Sequence, residues 1–327
     1  MIKAYNFEGS DLKELNSNEL GTHIDNAIWV DLAHPTAKEE TFIEDLLGIN
    51  IPTREEMHKL EFSSRLYQRN NTLFATVIII TQADTPHPES HALTFILHNK
   101  WLITVRYVKE PPYNTVLINT KLNATLSQKG SFVLSAMLED ITEKLADTLE
   151  NITHNTEELS RLIFKYDYAS NRFSKAGKPN FKDIISRISH NEDLLAKVRE
   201  SLFTITRMLS FILRTSYFEA HENKKPIAMI MQDTSFLIEH ATFLSSKIKF
   251  LLDAALGMIN IEQSSIIKIV SVAAVLFLSP TLVASIYGMN FQYMPELKWH
   301  FGYPLAIILM ILAGFFPYKY FKYKGWL

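Results

Sequence analysis

Two uncharged apolar runs near the C-terminal end constrain this chain more than any other feature. Ile269 to Tyr287 reads IVSVAAVLFLSPTLVASIY, and Phe301 to Tyr318 reads FGYPLAIILMILAGFFPY. Each is about 18–19 residues long, enough to cross a hydrocarbon core as a helix. A helix is the only open-ended element that satisfies its own backbone in lipid. The alternative is a pair of buried core helices. Two such runs in succession, joined by a short loop, argue against it. Lys319, Lys322 and Lys324 follow the second run, whereas the loop between the runs carries only Lys298. By the positive-inside rule the tail is cytoplasmic, and with two spans so is everything before residue 266. Tyr318, Tyr320, Tyr323 and Trp326 are placed to form an interfacial aromatic belt.

The chain has 327 residues in all, and what precedes the two runs is long enough for a sizeable soluble core. Its formal net charge of -2 gives no basis for nucleic-acid binding. With no cysteine it forms no disulfide or zinc-thiolate site and has no thiol nucleophile. The opening MIKAYNFEGSDLKEL lacks the apolar stretch of a signal peptide. Residues 27–32, 73–81, 92–98 and 101–108 are rich in β-branched and aromatic side chains and are expected to be strands. Asn99-Lys100 would turn the last two into a hairpin. Thr53 and Glu56 have the spacing of a capping box.

From about Ser131 the apolar period becomes helical, and a second helical stretch covers about Lys182 to Tyr217. The Gly and Pro of residues 166–180 mark a turn between them. A third pattern starts at Pro226 and meets no further proline before Pro280. As one helix to Tyr287 it would be roughly 90 Å long, a stalk that delivers the first span directly. The alternative is a break near Gly257. The expected layout is an α/β domain (1–130), a helical stalk region (131–265), a first transmembrane helix (266–290), an external loop (291–302), a second transmembrane helix (303–320) and a basic tail (321–327).

The first span closes on Tyr287-Gly288-Met289-Asn290, followed by Met294-Pro295-Glu296-Leu297-Lys298-Trp299 and Phe301-Gly302-Tyr303-Pro304. The tail ends Gly325-Trp326-Leu327, and Asn260-Ile261-Glu262-Gln263 and Pro280 to Ser285 precede the exit. In these segments the sequence resembles the CorA magnesium transporter family, in its enterobacterial form. Weaker similarity runs through Pro52-Thr53-Arg54-Glu55 and Ser63-Ser64-Arg65. The resemblance implies a homopentameric funnel in the bacterial inner membrane, with both termini cytoplasmic and five first spans lining a pore. It implies uptake of Mg²⁺, with Co²⁺ and Ni²⁺ as further ions, and a cytoplasmic domain that senses internal Mg²⁺.

Mg²⁺ sheds its water reluctantly, so a filter that meets the hydrated ion with neutral oxygens suits it. With Gly288 and Met289 before it, Asn290 would supply one amide carbonyl per subunit. A plain helix cap is the other reading of Asn290. Counting back at helical spacing gives one face of Ser285, Thr281, Leu278, Ala274, Ser271, Val270 and Ile267. Its outer part is small and hydroxylated; its inner part is apolar, as in a gate that closes by dewetting. A small-residue helix contact is the other reading of Thr281. Ser279 falls on the opposite side, and Pro280 is expected to kink or loosen the helix. At about 2.3 kcal/mol per charge per 100 mV, a divalent ion moving inward gains about twice that, 4.6 kcal/mol. No Walker-type phosphate loop is present, so the membrane potential is the natural drive.

Asp253 and Asp233 match the family's regulatory Mg²⁺ carboxylates only loosely, and ordinary solvated acids are the competing reading. Gln292 stands where relatives often carry an acid, leaving Glu296 to attract cations, and Ser264 stands where many have Asn. His87, Glu89 and His91 have a spacing that suits a transition metal, though a hairpin loop suits them as well. A zinc transporter of the same fold and a non-conducting membrane-anchored scaffold are the competing functions. No nucleophile–base set points to an enzyme.

Overall fold

The computed structural model describes residues 1–8, 11–15, 27–59, 65–109, 113, 129–164, 180–215, 221–290 and 292–326. The turn expected at 166–179, Ser63, Ser64, Phe291 and Leu327 lie outside the described residues. The chain divides into two compact units, Met1–Leu252 and Asp253–Leu327.

The first unit is built on a seven-stranded sheet. Its strands are β1 (Ile2–Glu8), β2 (Asp11–Glu14), β3 (Trp29–Ala33), β4 (Leu66–Arg69), β5 (Thr72–Thr81), β6 (Glu89–His98) and β7 (Trp101–Arg106), in the order β2-β1-β3-β7-β6-β5-β4. The β3–β7 pairing is parallel and the others are antiparallel. Four strands, β3, β5, β6 and β7, lie where the sequence places them; β1, β2 and β4 were not expected, and β2 and β4 are only four residues long. Asn99 takes the left-handed conformation between β6 and β7, and Asn70 and Asn71 both do so between β4 and β5. Asparagine adopts that region more readily than most residues, and two successive left-handed residues define the tight turn that matches strand twist.

Helix α1 (Ala37–Leu47) starts in a capping box of Thr36 with Glu39, and α2 (Arg54–His58) in the one expected of Thr53 with Glu56. Both seat apolar residues, Ile43 and Met57 among them, against the sheet core. At the parallel seam, Arg106 and Asp31 form a buried ion pair, Nη2 to Oδ2 at 2.8 Å, with side chains 9% and 3% exposed. Thr104 donates its hydroxyl to Asp31 Oδ1 at 2.7 Å and accepts from Trp29 Nε1 at 3.0 Å, so the charge is embedded in hydrogen bonds. Burial alone would lower the Arg106 pKa; the bonds and charge of Asp31 outweigh that and raise it.

Two long helices, α3 (Gly130–Phe164) and α4 (Phe181–Ile212), pack on this sheet. Strand β4 pairs with β5 only over Thr72 to Ala75, which leaves the edge open beyond. Helix α4 closes it: the Ile78 N–H donates to Thr204 Oγ1 at 3.0 Å, and Ser201 Oγ donates to the Ile78 carbonyl at 2.6 Å.

Helix α5 runs unbroken from His221 to Tyr287, 67 residues and about 100 Å. It does not break at Gly257, where one glycine costs only about 1 kcal/mol of helix propensity. It begins five residues before Pro226, so that proline falls in its second turn. Within the first unit its buried positions include Ile227, Thr234, Ala241 and Ile248, and also Ile230, Leu244 and Leu251. That alternating three- and four-residue spacing is a continuous apolar seam. Helix α6 (Gly302–Tyr323) follows a 3-10 turn at Pro295–Lys298. It extends three residues beyond the expected span and takes in Lys322.

Candidate functional site

In the second unit the first span ends without a left-handed cap. The Gly288 N–H bonds to the Ala284 carbonyl at 2.9 Å and the Met289 N–H to that of Ile286 at 3.3 Å, a tightening final turn. Gly288 does not have positive φ. A Cβ there would approach the Ala284 carbonyl at 3.3 Å, so what this position favours is a small residue. Asn290 lies three residues past the last helical residue and is exposed. Among the described residues its amide has no hydrogen-bond partner, so it does not cap α5.

The loop is held by backbone geometry. The Trp299 N–H bonds to the Glu296 carbonyl at 3.3 Å, and the Gly302 N–H to that of Trp299 at 3.0 Å. A Cβ on Gly302 would lie 2.2 Å from the Glu296 carbonyl oxygen, so only glycine fits there. No residue pattern announces this constraint. Glu296 and Gln292 are exposed at the loop surface.

Ile267, Val270, Ser271, Ala274, Leu278, Thr281 and Ser285 are all exposed. From Val272 onward the covered positions of α5, Val272, Ala273, Leu276, Ser279, Pro280, Val283 and Tyr287, centre on the other side of the helix at about 100° per residue. That covered side is where α6 meets α5, at Pro280 and Leu276. Helix α5 continues through Pro280. The Thr281 hydroxyl donates to the Phe277 carbonyl at 2.7 Å and the Ser279 hydroxyl to that of Val275 at 2.9 Å. Thr281 therefore keeps lone pairs free to accept from water.

Asp233 and Asp253 are both exposed on α5, 20 residues apart. Neither makes an ion pair, and no group of three or more His, Cys, Asp or Glu side chains suited to a metal occurs among the described residues. Glu89 and His91 pair at 3.0 Å, while the His87 N–H bonds to Thr85 Oγ1, so this trio does not converge on one point. Ser264 is exposed. At the end of α6, Lys322 and Lys324 each lie 5.9 Å from the rings of Tyr318 and Tyr320 respectively.

An α/β domain is followed by a very long helix and a shorter one, both long and apolar enough to cross a membrane and joined by a short loop, the layout of a two-span membrane protein. Residues 25–323 match the family model described as CorA-like Mg²⁺ transporter protein. The chain belongs to that family, which is a family of transporters. It is 36% identical over its full length to the magnesium transport protein CorA of Salmonella typhimurium, covering 100% of both chains. The complete structure of the CorA magnesium transporter from Methanocaldococcus jannaschii superposes with a TM-score of 0.78 at 20% identity, covering 100% of this chain and 99% of that one. The ZntB cytoplasmic domain from Vibrio parahaemolyticus gives a TM-score of 0.54 at 10% identity, covering 79% of this chain and 97% of that one, a likeness of fold alone.

Proposed function

We propose that this chain assembles as a homopentamer in the bacterial inner membrane and carries Mg²⁺ inward through a channel lined by α5. One observation carries the reading: seven positions from Ile267 to Ser285 form an exposed face turned away from α6, and Asn290, without a partner among the described residues, stands at its outer end. Hydroxyls that already donate to their own helix present lone pairs, which suits the donating waters of a hydrated cation. Gly288 and Met289 bring Asn290 to the mouth, and Glu296 concentrates cations outside it. The same ring of neutral amides accommodates Co²⁺ and Ni²⁺ as hydrated ions. Lysines at the end of α6 and just beyond it, Lys319, Lys322 and Lys324, favour cytoplasmic termini.

Regulation by internal Mg²⁺ rests on Asp253 and, secondarily, Asp233. Neither belongs to a group of three or more candidate ligands among the described residues, so an ion held there would be shared between copies. The 36% full-length identity is to a magnesium transport protein, while the likeness to ZntB is confined to fold, which favours magnesium over zinc.

The test is uptake into proteoliposomes under an inside-negative potential. Asn290→Ala should lower Mg²⁺ uptake by about tenfold or more, because the hydrated ion loses its amide ring. Unchanged uptake would remove Asn290 from the filter. Absence of any flux from the unaltered protein would favour the scaffold reading, and Zn²⁺ uptake well above Mg²⁺ would favour the zinc transporter.

A further inference from the structure

The geometry points to Gly314 as the residue that positions the pore helix, through a contact with Pro280 at the turn where a helical hydrogen bond is missing. Pro280 has no N–H, so the Leu276 carbonyl loses its partner four residues on. The flanking carbonyls are doubly served. Val275 and Phe277 accept hydroxyls from Ser279 and Thr281 in addition to their backbone donors. Leu276 receives neither. In lipid, a backbone carbonyl without a donor must be buried in protein or meet water.

Helix α6 covers that gap at Gly314. A Cβ placed on Gly314 would lie 3.4 Å from Pro280 Cγ and 3.9 Å from the Leu276 carbonyl oxygen. The glycine is thus a notch that receives the proline ring and shields the carbonyl beside it. Small residues at a membrane helix crossing permit this approach. None of the residues assigned to the ion path comes from α6. Its part is to fix the angle of α5 at the one turn where α5 cannot fix it by its own hydrogen bond. The segment from Thr281 to Asn290 lies immediately beyond that turn, so the placement of Asn290 depends on the contact.

This rests on the reading that α5 lines the ion path, and Asn290→Ala in the same assay tests that reading separately. Four proteins are compared at equal reconstituted amounts: unaltered, Gly314→Val, Pro280→Ala and the double variant. In Gly314→Val the branched methyls have no room against the proline ring, and Mg²⁺ uptake should fall by about tenfold. Pro280→Ala restores the N–H to Leu276 and removes the ring, so the double variant should recover most of the uptake of Pro280→Ala alone. Uptake by Gly314→Val at the unaltered level, or an equal loss in both backgrounds, overturns the proposal. Should Gly314→Val fail to fold, Gly314→Ser carries the test, its Cβ in ordinary contact with the ring and its hydroxyl one atom beyond. It should cost about two- to fivefold, relieved by Pro280→Ala. Unaltered uptake by Gly314→Ser would then overturn the proposal. If Asn290→Ala transports normally while the Gly314 variants behave as stated, the contact stands and the path is elsewhere.

Discussion

The two units of this chain satisfy their surfaces in opposite ways. In Met1–Leu252 the sheet is finished: Leu32, Ile79 and Leu93 are fully buried, and helix α4 closes the open edge at Ile78 with hydroxyls. In Asp253–Leu327 the apolar residues face outward, with Phe277 78% and Leu278 70% exposed. A water-soluble unit cannot leave such a surface bare. The sheet of the first unit is closed within one chain, although Met229, Phe236, Phe243 and Phe250 leave an exposed apolar row on its part of α5, whereas the second unit leaves most of its apolar surface bare. One substitution should therefore have different consequences in the two places.

The largest effect is expected in the finished unit. Arg106→Met leaves the Asp31 carboxylate buried without its cation, which costs about 3–5 kcal/mol. Near-ultraviolet circular dichroism during thermal melting of the detergent-solubilised protein should show the loss. A variant that melts as the unaltered protein does would mean that water reaches Asp31 and that the sheet seam is less closed than its burial indicates.

A charge placed on an exposed phenylalanine sharpens the contrast. Phe277→Arg puts a guanidinium at membrane depth and should cost about 2.5–3.5 kcal/mol of insertion free energy, read as the membrane-inserted fraction. Phe42→Arg, on an exposed position of α1, should change stability by no more than about 0.5 kcal/mol. Equal effects at both sites would break the comparison.

How much of this was legible beforehand follows the same division. The two spans were readable because an uncharged bilayer-length run needs no context. Strands β5, β6 and β7 were readable from their β-branched composition. Strands β1, β2 and β4 were not, since their stability comes from neighbours in the sheet and not from their own residues. The Asp31–Arg106 pair joins residues 75 positions apart, and no local pattern marks it. At the candidate site, the Gly288-Met289-Asn290 exit was read from the resemblance to the family, and helical spacing put the seven positions of α5 on one side. The constraints on Gly302 and Gly314 were not legible, because each arises from what approaches the glycine in space. The alternative of a helix break at Gly257 treated a small local cost as decisive, when the residues on either side hold the helix together.

The smallest effect expected is at the start of α2, and it carries a pH signature. The Thr53 backbone N–H donates to Glu56 Oε2 at 2.9 Å, and the Glu56 N–H donates back to the Thr53 hydroxyl at 3.3 Å. Thr53→Ala removes the side-chain half of this box and should cost about 1 kcal/mol. Hydrogen bonds from the Thr53 backbone and then its hydroxyl hold the Glu56 carboxyl below its ordinary pKa. A carboxyl lowered in the folded state binds its proton more readily when unfolded. Its stabilisation is therefore full above the unfolded pKa of about 4.3 and fades as pH falls through the folded value. The melting-temperature gap between the unaltered protein and Glu56→Gln should accordingly be widest near neutral pH and close toward about pH 3. A gap of constant size across that range would show that the ionised carboxylate contributes nothing beyond what a neutral amide supplies.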